Sequence, residues 1–179
     1  GAMAGHLPGG IGSVSIDLGD GLVVGALVAA NPIGSVYMPD GRTFWSWPFE
    51  LDDEFGGHRP GGHPPVRDPL PDQSRLADLG RLQPGANTTL AVIACNGDLG
   101  HAECKRVAMM AHDGMARAVR PAHTPFDGDT VFALGGGQVP LGEGNARQVQ
   151  VGRIGSAAAD CLARAIARAV HLGQGDLPA

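Results

Sequence analysis

Apolar and polar positions alternate from Ile11 to Leu18, within the stretch 9–19, while residues 21–30 (Gly-Leu-Val-Val-Gly-Ala-Leu-Val-Ala-Ala) are continuously apolar. A period of two predicts a half-exposed strand, an unbroken apolar run predicts a central one, and Gly19-Asp20-Gly21 between them predicts a hairpin. The next clear run is Asn87-Thr88-Thr89-Leu90-Ala91-Val92-Ile93-Ala94-Cys95. Its hydroxyl-bearing start leads into a short β-branched segment that reads as a buried strand. Asp98 is placed to cap a helix running to about Val119, with Leu99, Ala102, Val107, Met110, Ala111 and Met115 on its apolar face and Met109, Met110 and Met115 as core filling. Thr130 to Leu134 predicts another strand. Within 149–172 an Ala-rich helix carries Ile154, Ala158, Cys161, Leu162, Ala165, Ile166 and Ala169 along one side, small enough for close packing on a sheet. Strands in runs with helices between them predict an α+β fold.

Between Pro32 and Ala86 the pattern changes. Seven prolines lie from Pro48 to Pro84, acids gather at Glu50, Asp52, Asp53 and Glu54, and Gly-Gly pairs flank His58 and His63. A plain structureless loop of this length is foreign to a compact domain, so the segment is expected to be functional or partly disordered, with one short helix over 72–82. Phe44, Trp45, Trp47 and Phe49 are expected to anchor it, with the lining of a substrate pocket as the alternative. His58 and His63 match no firm ligand spacing, and no metal is expected. Gly9, Gly10 and Gly12 look like a phosphate loop, but no helix pattern and no Lys-Ser/Thr pair follows.

Composition narrows the picture. The 179 residues suffice for one well-buried domain, and 29 Gly with 14 Pro and few aromatics imply packing through Ala, Val, Leu and Ile with close backbone approach at Gly. A net charge of −5 without a basic cluster argues against nucleic acid or an anionic membrane surface as partner. No stretch reaches the roughly 20 apolar residues of a membrane span, and no signal-peptide pattern opens the chain, so a soluble, cytoplasmic protein is expected. Cys95, Cys104 and Cys161 are odd in number and sit in predicted elements, which favours buried free thiols.

The start of the 87–95 run also has a chemical reading. A hydroxyl residue at the first position of a strand is held rigidly at a sheet edge. If the chain is cut before Thr88, the freed α-amine lies beside that hydroxyl and can serve as its base, since such an amine titrates at about 7.7–8.0. An ordinary turn fits these residues too. Asn31, ending an apolar run before Pro32, is either a turn former or a neutral amide donor at the sheet edge. Asp127-Gly128-Asp129 is either a β-turn or a pair of acids directed at one site. His112 and His123 read as structural histidines and stay outside the catalytic set.

Taken in order, Asn31-Pro32-Ile33-Gly34, Asn87-Thr88-Thr89, Ala111-His112-Asp113-Gly114 and the block from Arg120 to Ala133 (Arg-Pro-Ala-His-Thr-Pro-Phe-Asp-Gly-Asp-Thr-Val-Phe-Ala) resemble the self-processing N-terminal-nucleophile amide hydrolases of the DmpA-type aminopeptidase and nylon-oligomer hydrolase family. The likeness runs from about Gly9 to Leu172. It implies a four-layer αββα sandwich in one domain, with 1–87 as the end of a first subunit-like part, including the loop 32–86, and 88–179 as a second part that starts at the nucleophile. It implies a cut between Asn87 and Thr88, with Thr88 as nucleophile, Asn31 in an oxyanion role, and Asp127 and Asp129 as active-site acids. No cofactor or metal is implied. The implied substrate is a short peptide or an ω-amino-acid oligomer.

Family members carry about as much chain again before this point, so an N-terminal half or a partner subunit is expected to complete the fold, and a homo-oligomer is expected. Some relatives have a lysine ahead of the Gly-Gly-Ile-Gly segment, where this chain has His6, Leu7 and Pro8. An acyl transferase like the ornithine acetyltransferases, or an unprocessed assembly protein, are the rival readings.

Overall fold

The alternating and continuous runs at the start of the chain pair as the hairpin their pattern predicts. In a computed structural model, which describes residues 1–62, 69–77 and 87–175, a small antiparallel pair β1 (Met3–Ala4) and β2 (Leu7–Pro8) precedes β3 (Gly10–Asp17) and β4 (Val23–Ala30). Between β3 and β4 the Leu22 amide donates to the Gly19 carbonyl, and residues 19, 20 and 21 all have positive φ. Gly takes that conformation freely, and Asp20 belongs to the few side chains that tolerate it.

Strand β5 (Leu90–Gly97) runs antiparallel to β4, and β6 (Thr130–Val139) runs parallel to β5, so the sheet order is β3-β4-β5-β6. A parallel neighbour needs a crossover, here supplied by α1 (His101–Ala118). The last element is α2 (Gly144–Gly173), longer than its apolar pattern predicts. Strand β6 likewise runs beyond Leu134.

Helices α1 and α2 cover one face of this sheet, burying Val24, Val28, Ile93, Val107, Met115, Ile154, Leu162 and Ile166. The approach is close because side chains are missing where backbones meet. A Cβ on Gly12 would lie 2.0 Å from the Ala165 carbonyl oxygen, one on Gly10 2.7 Å from that of Ala169, and one on Gly114 2.2 Å from that of Ala159. Of the glycines that resemble a phosphate loop, Gly10 and Gly12 are therefore where β3 touches α2, and Gly9 lies against the Ala30 carbonyl.

Among the described residues no helix packs on the opposite face. Its cross-strand rows are read from the register: Ile11, Ala29, Leu90 and Thr130 form one, and Ser13, Leu27, Val92 and Phe132 the next. Ile11, Leu27, Leu90, Phe132 and Leu134 are 64, 51, 48, 57 and 59% exposed, an apolar surface that soluble monomers rarely show as a contiguous patch. Apart from the small β1–β2 pair, the described residues thus form one sheet layer and one helix layer of the expected four.

Three expectations are corrected. Asp98 does not cap α1: its carboxylate accepts the Leu141 amide and pairs with Arg147, while Glu103 accepts the amide of Gly100, the residue before the helix. Met109 is 53% exposed and fills no core, in contrast to buried Met115. Of the helix predicted over 72–82, a single 3-10 turn, Arg75–Ala77, forms; 78–82 and His63 lie outside the described residues. In the long connection, buried Phe44 packs on Tyr37 at 4.4 Å and meets Phe55 edge-on at 5.2 Å, so Phe44 takes the anchoring role, whereas Trp45 lines a cavity, the alternative role. The cysteines are free, with Cys95 and Cys161 buried and Cys104 half-buried. No helix among the described residues is long and apolar enough to cross a membrane.

Candidate active site

Strands β5 and β6 begin side by side, and their parallel register extends back past both. Leu90 pairs with Thr130, Asn87 forms a further parallel bridge with Asp127, and the Thr130 amide donates to the Thr89 carbonyl. A constant offset therefore sets Asn87-Thr88-Thr89 against Asp127-Gly128-Asp129. On the other side, carrying the Ala29 to Leu90 pairing two residues further brings Asn31 to the register position opposite Thr88. By the period-two rule Thr88 shares the open face with Leu90, and Thr89 and Asp129 point to the helix side. Burial agrees, since Thr89 is buried and Thr88 half-exposed.

Thr88 Oγ lies directly over Gly128: a Cβ built there would sit 2.6 Å from it. The Gly128 amide donates to the Asn87 carbonyl oxygen at 2.8 Å, so the carbonyl next to the hydroxyl already has a hydrogen-bond donor fixed on it. That is the placement which stabilises an oxyanion forming on this carbonyl.

The two acids divide their work. Asp129 Oδ1 accepts the Thr89 amide at 3.0 Å, which fixes the peptide joining Thr88 to Thr89, and Oδ2 lies 3.0 Å from His123 Nδ1. Asp127 turns elsewhere: Oδ1 accepts the Ile33 amide at 3.1 Å, and Oδ2 accepts the amide and hydroxyl of Thr124 at 3.0 and 2.6 Å. It ties the exit of β4 to the loop before β6. Asn31 Oδ1 accepts the Met3 amide at 2.9 Å, and its own amide approaches Thr89 Oγ1 at 3.4 Å. Arg75 steadies the same exit by donating to the carbonyls of Met3 and Pro32.

His123 and His112, which the sequence presents as structural histidines, pack their rings 5.0 Å apart behind the site. The hydrogen bond to Asp129 raises the His123 pKa above the usual histidine range, whereas burial, followed by the charge of His123, lowers that of His112. The only sequence signal for His123 is its place in the Arg120–Ala133 block, because its carboxylate partner is met through the fold. A cavity of about 330 Å³ opens beside His123, with Trp45, Arg117 and Arg120 on its walls and Arg120 stacked 5.4 Å over Trp45. Thr88 does not line it. Among the described residues no group of three His, Cys, Asp or Glu could hold a metal ion.

Comparison with known proteins adds to this geometry. The chain is 42% identical over 173 residues to an uncharacterized aminopeptidase of Mycobacterium bovis, covering 92% of this chain and 48% of that protein. A second relative, the 6-aminohexanoate-oligomer endohydrolase of Kocuria sp., is 36% identical over 55 residues, 31% of this chain and 16% of that one. The chain therefore spans about half the length of the first of these relatives. Among solved structures, the Burkholderia sp. beta-aminopeptidase superposes with a TM-score of 0.56 at 24% identity, over 94% of this chain and 43% of that one. The L-aminopeptidase D-Ala-esterase/amidase of Ochrobactrum anthropi, a variant of the Ntn hydrolase fold, gives the same TM-score at 21% identity, over 94% and 42%. Both show that the sheet and its helix layer carry the corresponding part of that fold. Residues 1–175 match Peptidase family S58, and the chain belongs to that family.

Proposed function

We propose that this chain is the nucleophile-bearing part of a self-processing amide hydrolase with Thr88 as nucleophile. One observation carries the reading: Thr88 Oγ sits over Gly128 while the Gly128 amide holds the Asn87 carbonyl oxygen at 2.8 Å. Attack of Oγ on that carbonyl forms a C–O bond and breaks the C–N bond to Thr88, with the hydroxyl proton passing to the departing nitrogen. Water then opens the ester, releasing Asn87 as a carboxylate and leaving Thr88 with a free amine and a free hydroxyl. In turnover the amine accepts the Oγ proton as Oγ attacks a substrate amide and hands it to the nitrogen of the breaking C–N bond, so that the amine product departs and an acyl-enzyme ester remains, from which water then releases the acid.

Once Asn87 has left, the Gly128 amide is free to hold the substrate carbonyl, a donor of a kind that contributes about 3 kcal/mol to the barrier. In this scheme Asn31, at the register position facing Thr88, is the second polar group at the oxyanion, Asp129 fixes the Thr88 backbone, and Asp127 holds the β4 exit against the site. Substrates are short peptides or oligomers of ω-amino acids, in keeping with the relatives' names. The open apolar face beside Thr88 is covered by a second layer from the rest of the protein or from a partner subunit, and substrate lies between the layers. Support comes from the exposed Leu27, Leu90, Phe132 and Leu134, and from the half-length match to relatives.

Intact mass of the assembled protein under denaturing conditions tests this. A cut gives a fragment whose N-terminal sequence is Thr-Thr-Leu-Ala-Val, and a single uncut mass from fully assembled protein overturns the proposal.

A further inference from the structure

We infer that His123 is a positioning residue for the nucleophile: through Asp129 it locks the peptide that joins Thr88 to Thr89. The inference rests on Thr88 being the nucleophile. Its basis is a chain of two hydrogen bonds, from His123 Nδ1 to Asp129 Oδ2 and from the Thr89 amide to Asp129 Oδ1, each 3.0 Å. Both carboxylate oxygens are thereby engaged. The Asp129 side chain is only 5% exposed, so water is poorly placed to replace a lost partner, and a carboxylate held at one oxygen alone is free to rotate.

Two further observations mark His123 as held for a purpose. Its backbone has φ +55°, a left-handed conformation that side-chain-bearing residues seldom adopt and that persists where the surroundings enforce it. Its ring is backed by that of His112, presented by α1 with a 57° tilt, which restricts rotation away from Asp129.

The groups acting on the ring come from three directions. Asp129 and Asp127 face it from the turn before β6, His112 from α1 with Asp113 acting on His112 in turn, and Arg117 and Arg120 stand on the walls of the cavity that the ring also lines. When His123 is neutral, its ring puts no positive charge beside the Asp129 carboxylate, which lies one peptide from the Thr88 amine. When His123 is protonated the pair is neutral overall, and that amine loses an attraction that favours its ammonium form. His123 therefore holds the nucleophile in place and sets how the neighbouring amine responds to pH.

Two variants of the assembled protein separate positioning from mere packing. His123→Gly keeps the left-handed backbone and removes the donor; His123→Asn keeps the backbone and a neutral N–H donor but does not titrate. Expected are a fall in kcat of at least about tenfold for Gly with KM changed by less than about twofold, and recovery of most of that loss by Asn. The wild-type pH–rate profile should show an inflection above about 6.5 that is missing in the Asn variant. A Gly variant as active as wild type, or an Asn variant as impaired as Gly, overturns the inference.

A substrate-free measurement keeps this apart from the parent reading. The His123 imidazole followed by NMR should titrate at lower pH in Asp129→Asn than in wild type, and an unchanged titration breaks the His123–Asp129 link whichever residue is the nucleophile. Thr88→Ala that still hydrolyses amides overturns the parent reading instead.

Discussion

The two faces of the β3–β6 sheet are built by opposite rules. On the helix side, Gly10, Gly12 and Gly114 let backbones meet at distances that leave no room for a methyl group, and the core beneath them is closed. On the other side, larger side chains such as Ile11, Leu27, Phe132 and Leu134 stand in solvent. The hydroxyl of Thr88 belongs to the open side, and the carboxylate and imidazole that steady its peptide lie on the closed side. In the proposed mechanism, reactivity and support are thus separated by the thickness of one strand. The support does not have to move when the open face receives a substrate or a covering layer.

The comparison breaks most sharply at Thr88. Thr88→Ala should abolish self-cleavage and lower amide hydrolysis by at least about a thousandfold, roughly 4 kcal/mol in the barrier, while Thr88→Ser retains part of each. Cleavage by gel and turnover by product release measure both, and a Thr88→Ala protein that still turns over puts the chemistry elsewhere. The closed face is next. Gly12→Ala drives a methyl against the Ala165 carbonyl, an atom of backbone that cannot swing aside, and should cost about 1–3 kcal/mol in denaturant unfolding. Unaltered stability would mean that β3 and α2 are not in this contact.

Asp129→Asn tests the link between the faces. It preserves size and removes charge, and kcat should fall about tenfold, equivalent to 1.4 kcal/mol, with the circular dichroism unchanged. Phe132→Ser, on the open face, should change the stability of the isolated chain by no more than about 0.5 kcal/mol and yet weaken assembly with a covering layer, as read by sedimentation. A large loss of stability in the isolated chain would show that this side chain is already buried there.

The smallest effect is the pH dependence of stability contributed by the two histidines. His123, with its pKa raised, adds stability that is complete below its unfolded value of about 6.5 and disappears as pH rises through the higher folded value. His112, with its pKa lowered, contributes in the opposite sense: its share is present above about 6.5 and is lost as pH falls through the folded value. Histidine NMR should show one ring titrating above 6.5 and the other below, and coincident titrations would dissolve the pair.

What could be read from the chain follows from how local each signal is. The β3–β4 hairpin was legible because alternation, an apolar run and Gly19-Asp20-Gly21 all lie within a few residues. Strand β5 and the buried side of α2 were legible for the same reason. Asp98 was misread because its competitors, the Leu141 amide and Arg147, lie more than 40 residues away and outbid the helix end for its carboxylate. Met109 follows the composition of α1 but not its buried stripe of Val107, Ala111, Gly114, Met115 and Ala118. The residues proposed at the site came from the family likeness. Their spacing alone reads first as turns, and nothing in it shows that His123 meets Asp129 or that the Gly128 amide meets the Asn87 carbonyl.

The antiparallel ladder between β4 and β5 also has a consequence for how the molecule comes apart. Its six paired positions, from Val24 with Cys95 to Ala29 with Leu90, join strands that lie on either side of the Asn87–Thr88 bond. While that bond is intact, closing the long connection between the strands costs an entropy that grows only slowly with its length. If the proposed cut is made, the same ladder becomes a contact between two molecules, and the midpoint of unfolding acquires a dependence on protein concentration. Thr88, His123, Gly128 and Asp129 would remain on one polypeptide with α1 and α2, while Asn31 and the Met3 amide would remain on the other. Dilution of denatured, cut protein would then favour separated fragments over the rebuilt sheet, making the native assembly easier to keep than to recover.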